Sequence, residues 1–490
     1  MQGVGRLRRL WVAGGVIAVP AVLLSVWLGL DTGRSSRAAE PPPPPPPQPV
    51  QHFISRPDLQ PPRVAILHSA RGTSKGYVFI APKRGAKQPG PMILDDKGQV
   101  VWFKPLPTSG VTDFKVQRYQ GRPVLTWWQG TVSMRGVGLA GGYHILDTSY
   151  RLVKIVRAAH DLTGDIHEFR ILPGGRALMT IYRKVPADLS VLGGPSDGFV
   201  LEGIVQELSI ASGRVLFEWH SLPEVALSES YLPVPENEGT SKDPWDYFHV
   251  NSAEIDSDGN ILISARHTSA IYKLNRHTRK IMWRLGGKKS TFTFGPGARF
   301  AWQHDARRQP DGTITLFDNA AQQPKKGAQS KALRLRVDLP SHRASLVRAY
   351  RHQPPLLSPS QGNAQFLADG HVFVGWGQNA YFTEYSPAGA VLFDGKFGGQ
   401  DVDSYRAFRF AWDAHPLTKP DAVRRGRTVY VSWNGATQVA RWQVLAGSRV
   451  VGTAPKAGFE TKILVHTTSP LFVQAVNPDG GVLATVAVRR

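Results

Sequence analysis

Three histidines and one arginine have the types and spacing to do chemistry. His167 lies eight residues before Gly175, His249 ten before Gly259 and His304 eight before Gly312, so the three occupy one place in a recurring unit. Arg266 follows Gly259 by seven, and the matching positions elsewhere hold Tyr182, Asn319 and Gly377. A lone strand histidine is ordinary, but three of 15 in one register, with His304 inside Trp302-Gln303-His304-Asp305, are awkward to bury without a task. Imidazolium and guanidinium donors match the charge and shape of a sulfate or phosphate group. A neutral imidazole nitrogen is in addition a competent nucleophile for a transferable group. The competing chemistry is a three-histidine metal site. No clustered carboxylates stand beside the histidines to orient them, and Arg266 would repel a divalent cation, so no metal and no cofactor are expected.

What must position these side chains is a cyclic series of short strands. Between residues 113 and 375 a polar or histidine residue precedes a short apolar stretch, a tight turn ending in glycine, and an apolar triplet. The turn glycines are Gly121, Gly175, Gly259, Gly312 and Gly370, at intervals of 54, 84, 53 and 58 residues. Asp258-Gly259-Asn260, Asp311-Gly312-Thr313 and Asp369-Gly370-His371 are hairpin signals, because glycine tolerates the positive φ of a tight turn. Three intervals near 55 residues and one longer predict four-stranded units with an insertion between about residues 185 and 245, the pattern of propeller blades. Segments ending in Trp102, Trp219, Trp283 and Phe393 read as outer strands whose aromatic packs between neighbouring units. A first unit from Val64 to Lys104 brings the count to six. If the strand entering each turn is innermost, all three histidines aim at one axial pocket.

The ends read differently. Arg6, Arg8 and Arg9 precede Leu10 to Leu30, twenty-one residues without a charge, long enough to span a bilayer. The basic flank would stay in the cytoplasm and place the rest outside it, or in the medium if the segment is cleaved near Ala39. Residues 41 to 49 are almost all proline, a stiff extended spacer. After His415-Pro416 the strands come at the spacing of a small sandwich. The expected organisation is all-β: an N-terminal transmembrane helix over 1–31, a proline-rich linker over 32–63, a six-bladed β-propeller over 64–412, and an immunoglobulin- or fibronectin-like β-sandwich over 417–490.

With 59 Lys+Arg against 37 Asp+Glu the net charge is +22, but the basic residues are scattered and do not alternate with aromatics on one face, which argues against nucleic acid as a partner. The absence of cysteine excludes disulfides, thiolate metal sites, a cysteine nucleophile and a lipobox.

Asp165-Ile166-His167-Glu168, His249-Val250-Asn251-Ser252, Ser264-Ala265-Arg266-His267-Thr268 and Gln303-His304-Asp305-Ala306 resemble, in order, the histidine and arginine motifs of the bacterial arylsulfotransferases, six-bladed propellers that act without a nucleotide sulfate donor. The resemblance runs over most of residues 64 to 412. It implies that His304 is the nucleophile that becomes sulfated, that His167, His249 and Arg266 hold the sulfuryl oxygens, and that the partners are a phenolic sulfate ester and a phenolic acceptor. Asn251, Asn319 and Tyr182 are expected to contact substrate. Two other classes fit the strand pattern: a quinone-dependent propeller dehydrogenase, and a non-catalytic propeller that binds glycan or protein partners. The dehydrogenases resemble eight-bladed, metal-dependent proteins, and the second class needs no triple histidine.

Overall fold

The computed structural model describes residues 50–490 apart from 109, 134, 323–326, 328 and 400. The expected membrane helix and proline spacer, residues 1 to 49, lie outside the described residues. Among the described residues the chain forms eight sheets and only two short 3-10 turns, so the all-β expectation holds, and no helix there is long and apolar enough to cross a membrane.

Six of the sheets follow one another along the chain. Sheet I holds Tyr77–Ile80, Met92–Leu94 and Val100–Phe103; sheet II Val111–Tyr119, Arg122–Val132, Gly138–Leu146 and Leu152–Val156; sheet III Gly164–Leu172, Arg176–Ala187, Gly198–Ser209 and Val215–His220. Sheet IV holds Val250–Ile255, Ile261–Ala265, Ala270–Leu274 and Ile281–Gly286; sheet V His304–Arg308, Ile314–Asp318, Lys331–Asp338 and Arg343–Tyr350; sheet VI Asn363–Phe366, Val372–Gly375, Tyr381–Tyr385 and Val391–Phe397. The first strand of each of sheets II to VI is innermost, and these strands touch in sequence round a ring that Ala407–Phe410 completes by pairing with Tyr77–Ile80 as the innermost strand of sheet I. The ring is consistent with a β-propeller. Each expected turn glycine joins an innermost strand to the next, with φ from 69° at Gly175 to 85° at Gly370.

The sequence reading differs from the structure at two places. Val64–His68 does not open sheet I; it pairs with Val391–Phe397 as a fifth strand of sheet VI, so the two ends of the ring exchange strands and hold each other closed. The insertion is also split. Part of it lengthens the middle strands of sheet III to 12 residues each, and the remainder is the 221–249 connection that ends at His249.

Strands with both faces buried explain the unbroken apolar runs: Ile261–Ala265 and Ile314–Asp318 are buried at every position. Apolar clusters fill each gap between sheets, as Trp128, Tyr143 and Ile145 of sheet II meet Phe169, Met179 and Ile204 of sheet III. Trp102, at the outer edge of sheet I, reaches Phe114 and Trp127 of sheet II with ring centroids 5.8 and 6.5 Å apart.

The tail folds as two facing sheets around Val431, Trp433, Trp442, Val444, Ile463 and Val473. It docks on the ring where Asn434 exchanges two hydrogen bonds with the Phe103 backbone and the Tyr150 hydroxyl donates to the Gly435 carbonyl. Residues 50–63 pack here too: the Ser55 hydroxyl sits 2.7 Å from that of Ser432, and Phe53 lies 4.2 Å from Phe459.

The centre of the ring is filled by charge. Arg406, from the connection entering the innermost strand of sheet I, is completely buried. It meets Asp113 of sheet II at 2.8 Å, Glu168 of sheet III at 3.4 Å, the Asn251 carbonyl of sheet IV at 3.2 Å and Asp305 of sheet V at 3.3 Å. Asp305 accepts in turn from the Ala364 amide of sheet VI. Lys115 pairs with Asp113 and Glu168, and Arg307 with Glu168 and Asp305. Three carboxylates are thus balanced by three cations. Burial pushes the Glu168 carboxyl up, but Arg307, Lys115 and Arg406 outweigh it and hold it well below the usual range.

Removing one member of such a network leaves uncompensated buried charge, which costs about 3–5 kcal/mol. Arg406→Met is therefore expected to lower the unfolding free energy by that amount in urea titration, whereas Arg151→Ala, which breaks an exposed pair with Asp147, should change it by less than about 1 kcal/mol. Equal effects would show that the centre is not a cooperative unit.

Candidate active site

The histidines stand directly above this charged centre. His167 is the fourth residue of the innermost strand of sheet III, His249 immediately precedes that of sheet IV and His304 opens that of sheet V. Regular strand alternation would send His304 and Asp305 to opposite sides. A register shift between His304 and Arg307, with Asp305 at φ 56°, breaks the alternation there, and a similar shift follows Val250 while His249 sits at φ 55°. Such bulges re-aim side chains at the cost of local ladder bonds.

The register expectation for the histidines matches their placement. His167 and His249 meet edge to face with ring centroids 4.8 Å apart, and one nitrogen of each of His167, His249 and His304 lies within 4.8 Å of the others. All three are at most 5% exposed.

Each ring is fixed from behind through Nδ1. His167 Nδ1 donates to the Asp165 carboxylate and His249 Nδ1 to Asp246 at 2.5 Å. His304 Nδ1 lies 2.7 Å from Asn319 Oδ1. The orientation of that amide is set by its other end, since Asn319 Nδ2 donates to the Ser358 and Gln361 carbonyls at 2.9 Å each. Oδ1 therefore faces the imidazole, Nδ1 carries the hydrogen, and the lone pair of His304 is on Nε2, which accepts from the Gln361 amide at 3.3 Å.

Arg266 closes one side. Its guanidinium lies 4.1 Å over the Trp302 ring, Nη1 donates to His267 Nε2 at 2.7 Å, and Nη2 to the Pro359 carbonyl at 3.0 Å. Its buried Nε has no partner, leaving one donor uncommitted. Tyr182 packs 5.9 and 5.8 Å from His167 and His249 and gives its hydroxyl to the Val250 carbonyl. Asn251 turns away from the pocket and holds the Gln303 carbonyl at 2.7 Å. Asn319 acts through His304. Of the three residues expected to contact substrate, two are thus engaged in holding the backbone or ring of sheet V.

Several participants were not singled out. Asp165 and Asp246 lie two and three residues before the histidines they hold, and His267 follows Arg266, so each was visible in sequence but lacked a reason to be chosen. Tyr405, 5.4 Å from His167 and 6.4 Å from His304, comes from a distant part of the chain and had no local signal. The same contacts correct one ground on which a metal site was set aside: every imidazole has the orienting acceptor that seemed missing.

Burial, with Arg266 and the other histidines nearby, pushes His304 well below the ordinary imidazole range; burial, His167 and Arg266 do the same to His249. His267 is lowered by burial as well, although Asp246 opposes it. Burial lowers Arg266 to about 10, still cationic at neutral pH. Arg266 is thus a cation beside the neutral rings of His249, His267 and His304.

The arylsulfotransferase (ASST) family model matches residues 115–398, a span holding all three histidines and Arg266. The chain belongs to the arylsulfotransferase family. Membership indicates an enzyme with sulfotransferase-type function and small-molecule substrates. No curated protein matches the chain. Solved structures with likeness include a Bacteroides caccae protein of unknown function (13% identity, 68% of this chain and 98% of that one, TM-score 0.40). Others are the periplasmic gluconolactonase of Pseudomonas aeruginosa (13%, 84% and 96%, 0.37) and virginiamycin B lyase of Staphylococcus aureus (12%, 68% and 86%, 0.27). Likeness at this level says nothing of what this chain acts on.

The neutral rings have a measurable consequence. His249, His267 and His304 have folded-state values below the roughly 6.5 of an unfolded chain. The unfolded chain therefore binds the extra protons, and stability falls as pH drops through about 6.5 and on toward the folded-state values, by up to about 1.4 kcal/mol per pH unit for each ring. Urea midpoints in sulfate-free buffer should decline over that window, and His267→Gln should make the decline shallower. An unchanged slope in the variant would mean that this ring is already protonated in the folded protein.

Proposed function

We propose that the chain transfers a sulfuryl group from a phenolic sulfate ester to a phenolic acceptor by a ping-pong route through sulfated His304. One observation carries the reading: His304 is backed by a neutral amide, whereas His167 and His249 are backed by carboxylates. A carboxylate behind Nδ1 supports an imidazolium; an amide does not. When a sulfate ester brings its negative charge into the pocket, His249 gains a proton on Nε2 and donates to a sulfuryl oxygen together with the free Nε of Arg266, and His167 packs beside them. His304 keeps its Nε2 lone pair, which the Gln361 amide yields when the donor binds.

In the first half-reaction the Nε2 lone pair of His304 attacks sulfur, the bond from sulfur to the aryl oxygen breaks, and a phenolate leaves with that electron pair. In the second, the oxygen of an acceptor phenol attacks sulfur, its proton passes to solvent or a neighbouring imidazole, and the bond to Nε2 breaks. Phenols leave readily as anions, so little acid catalysis is required. Asn319 keeps Nδ1 protonated, which holds the nucleophilic nitrogen toward the pocket in each cycle. In this reading the ring is a six-bladed propeller whose innermost strands bring the site together. Neither a quinone enzyme nor a passive binding propeller requires three imidazoles with inward lone pairs.

Protein mixed with aryl sulfate alone should gain one sulfuryl group, stable in base and labile in acid, on the peptide containing His304. Turnover without modification of that peptide would remove His304 as nucleophile.

The proposal extends to location, on the uncharged stretch from Leu10 to Leu30. Full-length protein should stay with membranes through washes in high salt and alkaline carbonate, which strip proteins held by charge alone. Release into the medium with a new N-terminus near Ala39 would replace the anchor with a cleaved signal.

A further inference from the structure

The free site has a second chemistry open to it. We infer that His167, His249 and His304 together bind one divalent transition-metal ion of the zinc class, and that the ion excludes the sulfuryl donor. The site inferred rests on geometry alone; the exclusion of donor rests on the function proposed above.

One nitrogen from each of the three rings, converging within 4.8 Å, is the ligand set of an open three-histidine site, which leaves a fourth position for water; to bind, His304 Nε2 gives up the Gln361 amide it accepts at 3.3 Å. Zinc–nitrogen bonds of about 2.0–2.1 Å are reached from separations of 4.8 Å or less by ring movements under about 1 Å. Metal-ligating imidazoles usually give the other ring nitrogen to an acceptor, and here Asp165, Asp246 and Asn319 already serve as the acceptors.

A second grouping, Asp246 with His249 and His267, is spatially as tight but chemically spent. His267 receives Arg266 on Nε2 and donates from Nδ1 to the Asp246 carbonyl, while the Asp246 carboxylate holds His249. The ion therefore goes to the first set. Arg266 opposes it by charge, and the same cation favours the sulfate ester, so one residue should move the two affinities in opposite directions.

Full-length protein treated with chelator and freed of it is titrated with cobalt(II) chloride and, by calorimetry, with zinc chloride. One ion per chain is expected, with the visible absorption of four- or five-coordinate cobalt, displaced by zinc. His304→Ala and His167→Ala should abolish the band and His267→Ala should keep it. Asp246→Ala should weaken zinc binding about 10–100-fold. Arg266→Gln should tighten it at least about 10-fold while weakening aryl sulfate. Sulfation occupies Nε2 of His304, so zinc should inhibit competitively against donor and uncompetitively against acceptor. Cobalt that stays six-coordinate, or a band surviving His304→Ala, overturns the inference. Transfer that proceeds in chelated protein while zinc fails to bind sinks the metal site alone. Failure of the His304 peptide to become sulfated sinks the proposed transfer and leaves the cobalt result standing.

Discussion

Everything at the centre of this ring depends on neutralising Arg406. A guanidinium with no exposure must have its charge matched, and here carboxylates from sheets II, III and V and a carbonyl from sheet IV do so at 2.8 to 3.4 Å. The requirement has a geometric result. Sheets that would otherwise be held by apolar packing between flat faces, which tolerates sliding, are pinned by directed bonds where their inner edges meet. Asp305 is part of that network, and His304 is its neighbour in sequence. Tyr405 precedes Arg406 and packs against both His167 and His304. The floor of the pocket is therefore the roof of the ion network.

The histidines share a register but differ in what stands behind them. Two have carboxylates and one an amide, and the amide cannot flip because its nitrogen is held by two carbonyls. The tautomer of each ring follows from these partners rather than from the imidazoles. In the proposed reaction this difference in partners is what sets His304 apart from His167 and His249. Burial and the Arg266 charge both act against protonation before that, which keeps the unliganded site poised at the expense of stability in acid.

Bulges supply the remaining condition. A regular innermost strand would present one axial side chain in two, giving either the histidine or the acid beneath it. The shifts at His304 and Val250, with positive φ at His249 and Asp305, allow histidine layer and ion layer to follow each other within a residue or two.

How much of this was in the sequence can be argued residue by residue. Turn glycines with a regular interval determined the repeat, because only glycine meets a positive φ without strain, and counting from them put three histidines in one register. The apolar runs determined that the strands were buried on both faces. The motifs around His167, His249, Arg266 and His304 determined the family. Local patterns could not show that Val64–His68 closes sheet VI, since a strand's partner is chosen by ring closure over more than 300 residues of chain. Nor could they assign Asn319 to His304 or Asp246 to His249 in preference to substrate or solvent. Those partners are set by where bulges turn the backbone. Arg406 gave no sign of its role, because one arginine among scattered basic residues looks like a solvated charge until groups from four other sheets meet it. Periodicity and residue type were enough for repeat, register and family; partner, protonation and the charged centre needed side chains from distant sheets to meet in a space that excludes water.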